Sequence, residues 1–286
     1  MFLLQINWIW MVLIGTLFIA LTPGLLKMGL QKSNIRVSAA IFATAYLVMT
    51  FIIEKMNTGF RFDLNLEPID YLWILGLGAL MCLALYFFLN TLNKATVIQT
   101  IIGLQLMDVV STISGAIYSK RILENEEIVH IAIILVAVGL IVWSESTDKK
   151  WVLFMILAAI EISGISIYHL YLPAKLNDSR VDMFAQVITA ILVWAIFLIK
   201  KEGKSLKRIT VFNAFFLAVS GVILVLGNVM TKLASQNGDG TIALSISKLA
   251  LPVAVILSMA LLNEKMNAKK WIAVILILVA NYWIIL

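Results

Sequence analysis

Ten apolar stretches, each about 17 to 25 residues long, fill nearly the whole of this 286-residue chain and leave it few ways to fold. A hydrocarbon core about 30 Å thick is crossed by roughly 20 helical residues rising 1.5 Å each. The stretches lie near Trp8–Gly29, Arg36–Ile53, Tyr71–Asn90, Thr96–Tyr118, Ile128–Trp143, Trp151–Leu172, Val181–Ile199, Val211–Leu233, Thr241–Leu262 and Lys270–Leu286. With 62% hydrophobic and 13% charged residues, the chain has too little polar surface to cover a soluble domain of this size. Runs such as 131–143 and 272–280 are continuously apolar, which excludes the alternating pattern of a membrane β-barrel. Seven of the eight tryptophans (Trp8, Trp10, Trp73, Trp143, Trp151, Trp271, Trp283) fall near a span end, where an indole sits at headgroup level. The expected fold is an all-α integral membrane protein, in the cell membrane.

A shift of 143 residues superposes span on span, putting Trp8 on Trp151, Gly78 on Gly221, Gln105 on Lys248 and Arg121 on Glu264. Five spans per half is an odd number, so the second half enters the membrane from the opposite side. The expectation is two inverted five-helix repeats, residues 1–145 and 146–286, with a solute site between them near the midplane. The first span has no basic leading region and no small-residue cleavage pattern, so it reads as a retained helix. Cys82, the single cysteine, lies inside the third span and reads as a small buried apolar side chain.

Residues 243–275, ALSISKLALPVAVILSMALLNEKMNAKKWIAVI, carry a mid-helix proline (Pro252), an apolar run and then a glutamate-basic turn (Glu264, Lys265). This segment resembles the ninth and tenth helices of the ten-helix, EamA-type members of the drug/metabolite transporter superfamily. The first-half counterpart, TIIGLQLMDVVSTISGAIYSKRIL, keeps the shape but has Val109 where the proline falls and Arg121 where the glutamate falls. The resemblance implies a basket of helices around a central cavity, walled by helices one, three, four, six, eight and nine, with five and ten outside. It also implies transport of small metabolites, often outward, without a bound cofactor. Members include amino-acid exporters, drug exporters and nucleotide-sugar or sugar-phosphate exchangers, and their termini usually lie inside. Charge points the other way: Lys200, Lys201, Lys204, Lys207 and Arg208, with Lys265, Lys269 and Lys270, lie on the side opposite the termini and favour the cytoplasm.

Charged residues in mid-span cost roughly 2.5–3.5 kcal/mol on insertion scales and usually face a bundle interior or an aqueous cavity. Asp108, Glu161 and Lys248 hold such positions. Lys248, one turn before Pro252, suits a carboxylate or phosphate; alternatively it pairs with Asp108 or Glu161 and locks the halves, or is a solvated pore lysine. Glu161 lies among small residues, with His169 about two turns on along a similar face. The two are candidates for a proton relay, against a lysine partner for the acid and an interfacial hydrogen bond for the histidine. Gln105 shares a face of the fourth helix with Asp108. Asn228 offers a donor and an acceptor to a ligand, or bridges helices, while Lys232 is expected to snorkel to the interface. Tyr86 is a candidate cavity wall, with packing as the competing reading. Pro23, Pro173 and Pro252 are candidate hinges, the first two also plain helix ends.

The net charge of +6 is scattered over short loops, so no nucleic-acid partner is expected. No metal-ligand set or phosphate-cradling loop is present in the sequence, and His130 and His169 are the only histidines, so no cofactor, no metal and no enzymatic activity are expected. The expected function is a secondary transporter, exporter or exchanger, of a small organic metabolite such as an amino acid or other carboxylate-bearing solute. Its partners are that solute, membrane lipids and a proton or counter-solute. Export of cationic or amphiphilic compounds and a non-transporting membrane scaffold are the alternatives.

Overall fold

The computed structural model describes residues 7–31, 33–58, 66–144, 149–171, 179–206 and 208–283, and among these every regular element is a helix. The first three spans are α1 (Trp8–Leu30), α2 (Ile35–Thr58) and α3 (Pro68–Lys94). The fourth is two helices, α4 (Val97–Leu104) and α5 (Leu106–Tyr118). Then follow α6 (Asn125–Ser144), α7 (Lys150–Tyr171), α8 (Ser179–Ile199), a short α9 (Gly203–Leu206) and α10 (Val211–Asn237). The ninth span is again double, α11 (Gly240–Lys248) and α12 (Ala250–Leu262), before α13 (Ala268–Trp283). Nine spans among the described residues are long and apolar enough to cross a bilayer, and α13 adds 16 described residues of a tenth. The protein is thus an all-helical membrane protein. Its outward side chains are themselves apolar, Trp10, Ile122, Trp143 and Val211 among them, as lipid-facing surfaces require.

The fourth and ninth spans are each broken near the middle, the ninth beside the candidate hinge Pro252 and the fourth at a point that no proline marks. Pro252 has no N–H for the carbonyl of Lys248, and its ring crowds that carbonyl. The chain answers with a three-residue turn at Leu249 (φ −67°, ψ −11°), whose N–H bonds back to Ile246. In the fourth span the same turn falls at Gln105 (φ −62°, ψ −14°) without a proline. Pro23 lies inside α1, which runs on unbroken to Leu30, so it does not end the helix. Pro173 lies outside the described residues.

Packing pairs the two halves of the chain. α1 lies along α10, and α7 lies along α3; α10 also packs on α2, and α3 on α8. α1 meets α11 and α12, as α7 meets α4 and α5, while α6 packs on α13. Two glycines permit the closest approaches to the backbone of a neighbouring helix. A Cβ on Gly78 of α3 would lie 2.8 Å from the Ala185 carbonyl oxygen, and one on Gly221 of α10 would lie 2.8 Å from that of Phe42. The main core gathers Leu26, Leu89, Ile98, Ile102, Ile134 and Met155 around α4, and Cys82 is a buried free thiol within it.

α1 begins and α13 ends on one face of the molecule, the terminal face; Lys149, Lys150, Lys200, Lys201, Arg208, Lys265 and Lys269 cluster at helix ends and connections on the other, the basic face. On the basic face Glu202 accepts hydrogen bonds from Ser205 Oγ (2.7 Å) and Asn34 Nδ2 (3.0 Å) and pairs with Arg36, tying the start of α2 to the α8–α9 connection.

Candidate functional site

A cavity of about 770 Å³ extends from the α10–α11 connection on the terminal face, at Ser235 and Gly240, down to Pro23, Ile101 and Ala254. Its volume is that of a small-molecule site. Most of its wall is apolar, and the polar groups are few: Gln105, Asn228, Thr231, Lys232, Ser235, Ser247, Lys248 and Asn281. The prolines add backbone acceptors, because Pro23 and Pro252 leave the carbonyls of Ile19 and Lys248 without their usual helical donors, and both residues line the cavity.

Lys248 is the last residue of α11, and its ammonium lies 3.3 Å from Asp108 Oδ2 in the first turn of α5. Each charge sits where a helix dipole favours it, the cation at a C-terminus and the anion at an N-terminus. Both side chains remain about a quarter exposed, at 26% and 21%. Lys248 lines the cavity and Asp108 lies behind it, outside the lining. Beside the pair, Asn281 Nδ2 donates to Gln105 Oε1 at 3.3 Å; Asn281 is 1% exposed, and its own Oδ1 has no partner among the described residues.

The structure brings together Lys248, Asp108, Gln105, Asn228 and Pro23 of the residues expected from sequence. It keeps the others apart. Glu161 on α7 is half-buried, does not line the cavity, and makes no hydrogen bond or ion pair among the described residues. His169 faces Asp182 of α8, Nε2 to Oδ1 at 3.6 Å, and no described hydrogen bond joins it to Glu161. Tyr86 stands edge-on to Phe87 and borders a narrow crevice with Arg36 and Cys82 instead of the cavity. The wall is drawn from the first, fourth, eighth and ninth spans plus Asn281 of the tenth; the third and sixth spans, expected in it, pack on each other through Trp73 and Tyr168. Lys232, expected at the interface, lines the cavity, and Asn281 escaped the sequence reading. Lys232 stands one turn beyond Asn228, a spacing that puts both on one helix face, whereas nothing in the apolar tenth span signals that Asn281 points inward.

Toward the basic face the cavity is closed. Leu26, Ile98 and Val255 are buried there, and two long side chains seal the turn between α3 and α4. Lys27 donates to the carbonyls of Leu92 and Ala95 (2.8 Å) at the end of α3. Glu264 accepts from the N–H groups of Val97 (2.7 Å) and Ile98 (3.1 Å) at the start of α4. Orphan groups at both helix ends are thus met by the charge each prefers. The first-half counterpart of Glu264 does nothing similar: Arg121 engages Glu127 through Nη1 and Nη2, each at 2.6 Å, and the start of α11 is capped by its own Asp239.

Residues 149–286, from the start of α7 onward, match the model of the EamA-like transporter family. The chain carries an EamA-like transporter domain. It is an all-helical integral membrane protein, and the EamA-like segment supplies α10 to α12 and Asn281 to the cavity wall. No curated protein matches the sequence. A solved crystal structure shares the fold with a TM-score of 0.59 over 96% of each chain at 14% identity.

Proposed function

We propose that this EamA-type transporter carries a small organic anion by alternating access, as an exporter or exchanger, with Lys248 as the residue that takes the solute's acidic group. One observation supports this above the others: among the described residues the cavity lining carries two ammonium groups, Lys232 and Lys248, and no carboxylate. A carboxylate or phosphate that reaches Lys248 competes with Asp108 behind it for the same ammonium. Gln105, Asn228 and the free Asn281 Oδ1 then supply neutral hydrogen-bonding partners. Glu161, unpaired in its span, is the carboxyl we assign to proton coupling.

Alternation between faces fits two inverted repeats, residues 1–145 and 146–286. The support is exchange symmetry in the packing. Shifting by 143 residues turns the Gly78 contact with Ala185 into the Gly221 contact with Phe42, at the same 2.8 Å. It also turns α1 against α10 into α7 against α3, and it brings the break at Gln105 to within one residue of the break at Leu249. A second reading, export of cationic compounds, draws on the ion pair itself, since a cation displacing Lys248 would find Asp108 ready.

The test is a thermal-shift screen of purified protein against organic acids, sugar phosphates, amino acids and quaternary amines. It is run on wild type, on Lys248→Gln and on Lys248→Gln with Asp108→Asn, which leaves no unpaired charge. A ligand at 100 times its Kd stabilises by about 2.7 kcal/mol. The expected result is an acidic solute that stabilises wild type and neither variant. Stabilisation of all three proteins by the same acid would remove Lys248 from the site, and stabilisation by amines that requires Asp108 would replace the anion carrier with the cation exporter.

A further inference from the structure

A second cavity, of about 540 Å³, runs along the membrane-facing side between α5, α6 and α7, away from the site described above. Its floor is made of buried apolar residues, Val109, Val138, Met155 and Ala159, and its rim of exposed ones, Leu135 and Ile156 among them. From Leu135 to Trp143 the groove follows nine residues of α6, a rise of about 12 Å at 1.5 Å per step. That is close to half of a 30 Å hydrocarbon core, the depth of one leaflet. Midway along it, a Cβ added to Gly139 would meet no atom within 4 Å, so the space beside that glycine is open.

The basic-face end of the groove differs in chemistry from the rest. Trp143 is 80% exposed there, at the level where indoles meet headgroups, and Lys149 lines the mouth. Lys269, from the start of α13, sets its ammonium 5.3 Å from the centre of the Trp143 ring. An apolar slot one leaflet deep, ending in a tryptophan flanked by two cations, is complementary to one molecule class: an acyl chain joined to an anionic headgroup.

We propose that this groove is a specific site for an anionic phospholipid of the basic-face leaflet. One acyl chain lies between α6 and α7, and the headgroup phosphate is held by Lys149 and Lys269. Because the groove joins α5 and α6 of the first half to α7 of the second, the bound chain bridges the two halves of the carrier on its outside. Surface lysines attract anionic lipid by about fivefold each, so the headgroup selectivity should be measurable.

The experiment is native mass spectrometry of the protein reconstituted in equimolar phosphatidylglycerol and phosphatidylcholine with identical acyl chains, then extracted in mild detergent. Wild type should retain phosphatidylglycerol over phosphatidylcholine by about tenfold or more. Lys149→Gln with Lys269→Gln should bring the ratio near one, while Lys200→Gln with Lys201→Gln, on the same face but away from the groove, should leave it unchanged. Gly139→Leu, which fills the slot, should lower retention of both lipids while the protein remains monodisperse. Equal retention of the two lipids by wild type, an unchanged ratio in the Lys149 and Lys269 variant, or undiminished lipid in Gly139→Leu would each overturn the proposal. So would a dimer whose crosslinks run through Gly139, which would make the occupant a second copy of this chain.

Discussion

Gly78 and Gly221 show how much one missing methyl group decides. Each lets its helix come within contact distance of a backbone carbonyl on a neighbouring span, and a side chain at either position must push two helices apart. Gly78→Val and Gly221→Val should each destabilise by about 1–3 kcal/mol, read as a lower melting temperature in detergent. Gly115→Ala and Gly164→Ala, where an added Cβ meets nothing within 4 Å, should melt like wild type or slightly above it. Glu202 carries a pH signature. Hydrogen bonds from Ser205, the pairing with Arg36 and a bond from Asn34 hold its carboxyl below the usual range. A depressed folded value means that its contribution is complete above the unfolded value near 4.3 and is lost as pH falls through the folded one. Melting temperature should therefore drop below about pH 4 by more in wild type than in Glu202→Gln. Lys248 and Asp108 were legible in the sequence because a mid-span charge must find company. Their mutual partnership was one of several open pairings there, and only the position of α5 against α11 selects it. Tyr86 stood between cavity wall and packing in the sequence because an aromatic in an apolar helix carries no mark of which neighbour it faces.

At the level of elements, the breaks in the fourth and ninth spans are what put helix ends, and thus dipoles and free carbonyls, at cavity depth. Pro252 announced one of them. The other, at Gln105, has no proline, and its nearest unusual residue is Gly103, which lies where Met155 of α7 presses in: a Cβ there would be 1.7 Å from the sulfur. Such a break follows from a neighbouring helix, which no local pattern encodes. The same holds for the seal on the basic face. Glu264 was visible as part of a motif, but its reach across to Val97 and Ile98 depends on how α12 ends, with Asn263 in the left-handed conformation (φ 53°, ψ 33°) turning the chain toward α4. Glu264→Gln keeps the shape and removes the charge at that helix start. A cysteine at Ile98, buried in the closed form, should then react faster with a thiol reagent offered to the basic face, in a background where Cys82 is alanine. An unchanged labelling rate would mean that apolar packing alone closes that end.

For the whole molecule, the apolar length of the spans settled the class of fold before any side chain was considered, since backbone polar groups in a bilayer must be satisfied within helices. Sidedness is decided by a weaker force. Because the lysines and arginines of the connections gather on the face opposite the chain ends, the charge rule orients both termini away from the cytoplasm. A cysteine appended after Leu286 should accordingly be labelled in intact cells by an impermeant thiol reagent; labelling only after permeabilisation would reverse the assignment. The two faces also differ in the contacts they have for holding a cavity shut. One has Lys27 and Glu264 stitched across a turn; the other has Arg121 occupied with its own neighbour and a helix capped by its own aspartate. Under the alternating access proposed above, a revolving door with one stiff leaf and one loose leaf still passes the same traffic each way at equilibrium. The stiffness sets only how long the door waits on each side, and any lasting difference in solute concentration must come from a gradient that turns it.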